Sequence, residues 1–550
     1  MARQGILKLW PELLVFAVVL YISAPGLASY PLWQDEVETA ERARSVLEQG
    51  LPQVLDAQGE LSLNAGGLEI EDGELHRFTP PVQFYVGALG LAAGRLFQAN
   101  EDLAIRSPFV VAHALTSSVV LYGLRTVGGV GVVASAVPAL LFGAQSVRLI
   151  YDRTARYHAL LDLALALGLL ALGRYRQGVP GWRWVLAGVL VVLPQIHTFG
   201  GALSVVVLGL AALYVIVGGG SEQRLPLSGR VAAYANWVVL PGLLSLAQVT
   251  FYARPWLQQA WSTTDFVSPP SVGDFFGISF WLYVLSGAVV LLAFAREYAR
   301  TLQLGSFLAL YYYGIVTLDG LSPFSQSRYY FSIALFALFW IVALGSSSKG
   351  ESSRRLLGQV LCGYAVLVLL LFEREGKIHW KADSLYAGLR AVNLERDRAA
   401  EPLVIAIERI KNEGEPTAPV LIDYVPQYVN WYLRGHRVAL VPDSTSRTPL
   451  NAANLLMQRE LVMPEWHLWY PSWGSGFWSC IGKCDFSVKF IDWTTRSYEL
   501  SSRKLNQKVK MCVLQTWESS PWDNAPFRFI DGFNPAFKRE GMLALARRCP

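Results

Sequence analysis

The chain has 550 residues, 53% of them hydrophobic and only 16% charged, with a net charge of +5. A soluble globular chain carries about 25% charged residues, so this composition, with a mean hydropathy of +0.33, excludes an ordinary water-soluble fold and points to membrane burial. No basic cluster interleaved with aromatics is present, which argues against a nucleic-acid partner, while the 18 Trp, 24 Tyr and 26 Phe suit interfacial belts and stacking on sugars.

Arg3 and Lys8 precede an apolar run from Leu13 to Ser29. The small residues Gly26-Leu27-Ala28-Ser29 allow a cleaved signal peptide, but the length of the run and the many spans after it favour a retained signal-anchor. A spanning helix needs about 20 mostly apolar residues. Such runs lie near 12–29, 106–125, 127–147, 157–173, 183–197, 199–217, 231–252, 275–295, 302–318, 329–346 and 356–372. A further stretch, 80–98, opens on Pro80-Pro81 and carries Gln83 and Arg95; it either spans or lies along the membrane surface. If it does not cross, the cytoplasmic loops collect Arg125, Arg174, Arg176, Arg183, Arg224, Arg230, Arg296, Arg300, Lys349, Arg354 and Arg355, as the positive-inside rule demands. The expectation is therefore about eleven spans over residues 1–372, with the N-terminus inside and the C-terminus outside. Residues 30–105 form a large external loop, in which 80–98 is a juxtamembrane helix.

After Phe372 the chain becomes polar, and residues 373–550 read as an external α/β domain. Ala418 to Tyr424 reads as a buried strand, Trp431-Tyr432-Leu433 as a short helix stopped by Gly435, and Arg437 to Val441 as a second strand. Four of the five cysteines, Cys480, Cys484, Cys512 and Cys549, fall in this domain. An even number in an oxidising compartment predicts disulfides whose pairing is not readable; a zinc site is a weaker match.

Five segments carry candidate chemistry. Asp35-Glu36 leaves the first span and enters an amphipathic helix ending near Gly50. Asp35 can cap that helix, with Glu38 closing a capping box and Glu38–Arg42 forming an i,i+4 pair. Two acids at a membrane interface also suit a polar cavity. Asp152, Arg153, Arg156, Tyr157 and His158 crowd a short external loop; snorkelling Arg and belt Tyr are the plainer reading, but they leave Asp152 without a role. His197-Thr198-Phe199-Gly200 breaks an apolar hairpin, Arg254-Pro255-Trp256 opens a loop that also holds Trp261, and Arg328-Tyr329 starts a late span.

Together these segments resemble the GT-C glycosyltransferases, in particular the bacterial branch similar to protein O-mannosyltransferases and the lipid A aminoarabinose transferase. The matching motifs are Asp35-Glu36 with Ala43-Arg44; Pro80-Pro81; Arg153-Thr154-Ala155-Arg156-Tyr157-His158-Ala159-Leu160-Leu161; His197 to Gly200; and Arg328-Tyr329. Their order is kept over residues 1–345, and the C-terminal domain is matched less closely.

The resemblance implies an inverting transfer of a sugar from a polyprenyl-phosphate donor to a glycan, lipid or protein acceptor, at the outer face of a bacterial inner membrane and among membrane lipids. It implies Asp35 as base, Glu36 as its orienting partner or a sugar ligand, and Asp152 as a second acid. Arg153, Arg156 and Arg328 are then phosphate ligands, with Tyr157, His197, Arg254, Trp256 and Tyr329 as further substrate contacts. Asp35 and Asp152, with Glu36, could also supply oxygen ligands to Mg²⁺, Mn²⁺ or Ca²⁺. The rival readings are a multi-pass transporter, which would place acids in mid-span, or a lipid- or oligosaccharide-modifying protein that transfers no sugar.

Overall fold

The structure is a computed structural model. It describes residues 9–53, 79–144, 146–179, 181–197, 226–248, 371–374, 377–380, 401–415, 418–422, 431–433, 463–469, 486–492, 494–502, 505–518 and 542–550, with isolated positions between 201 and 251. The chain divides into two compact units. One takes Met1–Pro25, Thr79–Gln83 and Ser107–Asn393; the other takes Gly26–Phe78, Phe84–Arg106 and Leu394–Pro550.

The helices are α1 (Trp10–Ser23), α2 (Gln34–Gln49), α3 (Val82–Phe97), α4 (Glu101–Thr126), α5 (Val132–Ala144), α6 (Ser146–Tyr151), α7 (His158–Arg176), α8 (Trp182–Ile196), α9 (Leu227–Tyr234) and α10 (Pro402–Glu413). A chain that is helical over most of its described length and carries a C-terminal sheet agrees with the expected fold class. Among the described residues three helices, Glu101–Thr126, His158–Tyr175 and Ser228–Gln248, are long and apolar enough to cross a membrane. Three more of the expected spans are shorter apolar helices: Trp10–Ser23, Val132–Ala144 and Trp182–Ile196. The expected spans at 275–295, 302–318 and 329–346 lie outside the described residues, as does nearly all of 199–217 and of 356–372.

Several boundaries differ from the sequence reading. The first helix ends at Ser23, whose hydroxyl donates back to Val19 O at 2.6 Å, and Gly26 then turns the chain at φ 70. Leu371 and Phe372, read as the end of a span, are strand instead: β1 (Leu371–Arg374) pairs antiparallel with β2 (Lys377–Trp380). The segment read as a loop at 148–158 is half helix, because α6 runs to Tyr151. The stretch 80–98 is helix over Val82–Phe97. Its length is ~24 Å at 1.5 Å per residue, short of the ~30 Å hydrocarbon core. Tyr85, Leu89, Leu96 and Phe97 are exposed along it, as suits a helix lying at an interface.

In the helical unit, small residues set the closest approaches. A Cβ on Gly143 of α5 would stand 2.6 Å from Ser117 Oγ on α4 and 2.7 Å from Val19 on α1. Only glycine lets these three helices meet, the device used where lipid offers no hydrophobic drive between helices.

In the sheet-bearing unit, a six-stranded sheet runs β3 (Val420–Ile422), β4 (Trp466–Trp469), β8 (Met542–Arg548), β7 (Gln507–Glu518), β6 (Ser497–Ser502) and β5 (Phe486–Asp492) in space. The β3–β4 pair is parallel and the others antiparallel. Leu421, Trp469, Tyr498, Leu500, Met511, Ala544 and neighbours form its core. Helix α10 buries Leu403, Ala406, Ile407 and Ile410, a spacing of 0, 3, 4 and 7 that makes one apolar face. Each large side chain there contributes about 1.5–3 kcal/mol. A disulfide joins Cys512 to Cys549 across β7 and the end of β8. Cys480 and Cys484, and the expected strand at 437–441, lie outside the described residues.

Candidate active site

Asp35 sits one residue into α2. It is therefore not the N-cap expected from the sequence. Trp33 holds that position in extended backbone, and Glu36, not Glu38, closes the turn by accepting the Trp33 N–H at 3.1 Å. Gly50 ends the helix at φ 84 with its N–H on Val46 O, the left-handed stop that glycine takes without strain. The Asp35 side chain is half-buried at this entry.

Glu36 is spent on Arg106. Arg106 Nε and Nη2 reach its two carboxylate oxygens at 2.8 and 2.6 Å, and neither side chain is exposed. Arg106 also donates to the carbonyls of Leu27 (2.6 Å), Tyr30 (3.0 Å) and Pro31 (3.2 Å), and its guanidinium lies 4.2 Å from the Tyr30 ring centre. One arginine thus ties three backbone carbonyls of the approach to α2 to its first turn. The bidentate fork suits arginine and not lysine. Glu36 holds the helix entry, and its oxygens are engaged by a cation and an amide.

A second buried group forms in the helical unit. Asp152 Oδ2 receives Arg148 Nη2 at 3.1 Å and faces His113 Nδ1 at 2.7 Å. Arg148 reaches Asp162 at 2.8 Å and stacks over Phe142 at 3.5 Å. His113 Nε2 lies 2.9 Å from the carbonyl of Gly143. Both ring nitrogens of His113 thus face oxygens, one of a carboxylate and one of a backbone carbonyl. Arg148, Arg153 and Arg156 are buried, not snorkelling. Arg153 donates to Pro25 O, and the turn between them is tied by Thr154 Oγ1 on Tyr151 O at 2.6 Å and Arg156 N on Thr154 O at 2.7 Å.

Tyr157 and His197, expected separately as substrate contacts, stack at 3.9 Å. His158 continues the aromatic group at 4.3 Å from Tyr157 and 5.0 Å from Tyr151. Arg254, Trp256, Arg328 and Tyr329 lie outside the described residues. The sequence reading missed Arg106 and His113. A charged or titratable residue inside an apolar helical run was the available signal for both.

Of the expected metal ligands, Glu36 and Asp152 fit a divalent ion poorly: Glu36 already meets Arg106 and Asp152 already meets Arg148, so an incoming cation would have to displace positive charge. Among the described residues no group of three or more His, Cys, Asp or Glu gathers as a metal site.

The chain matches no family model, and no curated protein matches it. It is similar to two crystal structures of ArnT from Cupriavidus metallidurans. One, bound to undecaprenyl phosphate, is 17% identical over 90% of this chain and 97% of that chain, with a TM-score of 0.46. The other, in the apo state, is 16% identical over 86% and 94%, with a TM-score of 0.49. At these values no residue role is transferred from ArnT to this chain.

Proposed function

We propose that this chain is an inverting membrane glycosyltransferase that moves a sugar from a polyprenyl-phosphate donor to an extracytoplasmic glycan, lipid or protein acceptor. The observation that carries the reading is the clamped entry to α2. The Glu36–Arg106 pair holds residues 27–36 in place, and Asp35 lies in that entry, one residue before Glu36. The ordered GT-C motifs of the sequence support the same reading.

In the proposed step the acceptor hydroxyl oxygen attacks the anomeric carbon. The bond from that carbon to the lipid phosphate breaks, and the hydroxyl proton passes to the Asp35 carboxylate. The departing phosphate gains negative charge, which Arg156 and Arg328 are proposed to meet. Glu36 acts through position alone. Asp152 pairs with His113 and keeps the Arg148 turn in place. No step is routed through a metal.

The test is Asp35→Asn in purified protein given a polyprenyl-phosphate sugar. Transfer should vanish while expression and thermal stability persist; near-normal transfer removes Asp35 from the role. The buried array of Asp162, Arg148, Asp152 and His113 also favours a second reading, a transporter, since such groups mark ion paths. Substrate flux across proteoliposomes without bond cleavage would select that reading.

A further inference from the structure

The C-terminal segment Trp431-Tyr432 reaches the entry to α2. Leu32 N–H donates to the Tyr432 hydroxyl oxygen at 2.7 Å. That leaves the hydroxyl proton for Asp102 Oδ2, which lies 3.1 Å away. Trp431 Nε1 donates to the other oxygen of Asp102 at 3.3 Å, and the Arg44 guanidinium of α2 sits 3.8 Å from the Trp431 ring centre. Asp102 and Trp431 are buried. The backbone leading to Asp35 is therefore gripped in sequence. Arg106 takes the carbonyls of Leu27, Tyr30 and Pro31, Tyr432 takes Leu32 N–H, and Glu36 takes Trp33 N–H.

We propose that Tyr432, with Asp102, is a positioning residue for Asp35, so that the C-terminal domain completes the catalytic entry and is not a detachable binding module. The proposal rests on the reading of Asp35 as the base. Leu32 is three residues before Asp35, and its amide is fixed by a hydroxyl that 400 residues of chain separate from it. Tyr432 touches neither sugar nor phosphate in this scheme. It acts by limiting where the α2 N-terminus can sit, and a 1 Å misplacement can cost about 100-fold in rate.

Tyr432→Phe keeps the ring and removes the oxygen. In full-length protein we expect kcat for transfer from a polyprenyl-phosphate sugar to fall about 10- to 100-fold, with the donor KM nearly unchanged. Hydrogen exchange in a peptide covering residues 27–37 should quicken, while exchange across β6–β7 stays as in wild type. Asp102→Asn should shift both readouts the same way, and the double variant should cost no more than the larger single change, because the two residues act as one clamp. Wild-type kcat, unchanged exchange at 27–37, or a rise in KM without loss of kcat would each overturn the proposal. If the wild-type protein transfers no sugar, the Asp35 reading fails on its own, and exchange at 27–37 still reports whether Tyr432 holds the segment.

Discussion

Arg106 closes on Glu36 with two parallel N–H···O bonds of 2.8 and 2.6 Å, and both side chains are fully buried. A buried pair adds little over an apolar substitute, but removing one partner strands the other charge. Arg106→Ala should therefore cost about 3–5 kcal/mol, read as a drop in the thermal midpoint in detergent. Glu36→Gln keeps an acceptor for Trp33 N–H and should be milder than Glu36→Ala. Equal losses would show that the charge, and not the helix entry, carries the effect.

His113 and Asp152 are hydrogen-bonded at 2.7 Å and also meet Gly143 and Arg148. Their substitutions should not add. A double-mutant cycle of His113→Gln and Asp152→Asn should return a coupling of about 0.5–3 kcal/mol. Additive losses would mean that the two groups do not depend on each other.

Chelation should leave transfer unchanged, because a cation at Glu36 or Asp152 must first displace Arg106, or Arg148 and His113. The measurement is transfer after treatment with EDTA and with added Mn²⁺. Activity lost and then restored would place a metal on residues other than these two.

Cys512–Cys549 closes a separation of 37 residues, for which chain-entropy arguments give about 3–4 kcal/mol. Cys512→Ser should lower the unfolding midpoint of the sheet-bearing unit by a corresponding amount and reduce its sensitivity to reductant. An unchanged midpoint under reducing conditions would show that the bond does not contribute.

Asp492 ends β5 and accepts Thr495 Oγ1 at 2.8 Å, and the amides of Thr494 and Thr495 at 2.9 and 3.3 Å. The Thr495 hydroxyl first, and then the two amides, hold its carboxyl below the usual carboxylate range. A lowered folded pKa adds stability that is complete above the unfolded value of about 3.9 and is lost as pH falls through the lowered one. The turn should thus stay ordered at pH 4 and loosen only in stronger acid. Carboxyl titration by NMR checks this, and a midpoint at or above 4 would contradict it.

The sequence by itself determined the membrane class, the helix at 34–49 with its Gly50 stop, and the helix at 82–97. Each follows from local facts: apolar run length, acids in a first turn, and glycine at a left-handed position. It also placed Asp35 and Asp152 among the few acids beside apolar runs. Tertiary structure alone decided what those acids meet. Arg106 is 70 residues from Glu36, His113 is 39 from Asp152, and Tyr432 is 400 from Leu32, so no window of sequence contains both members of any pair. The resemblance named Asp35 as base, Glu36 as its partner and Asp152 as a second acid, but local pattern held nothing of what each carboxylate meets. A carboxylate's chemistry depends on the charge beside it in space, and the folded chain sets Glu36 against Arg106 and Asp152 against Arg148.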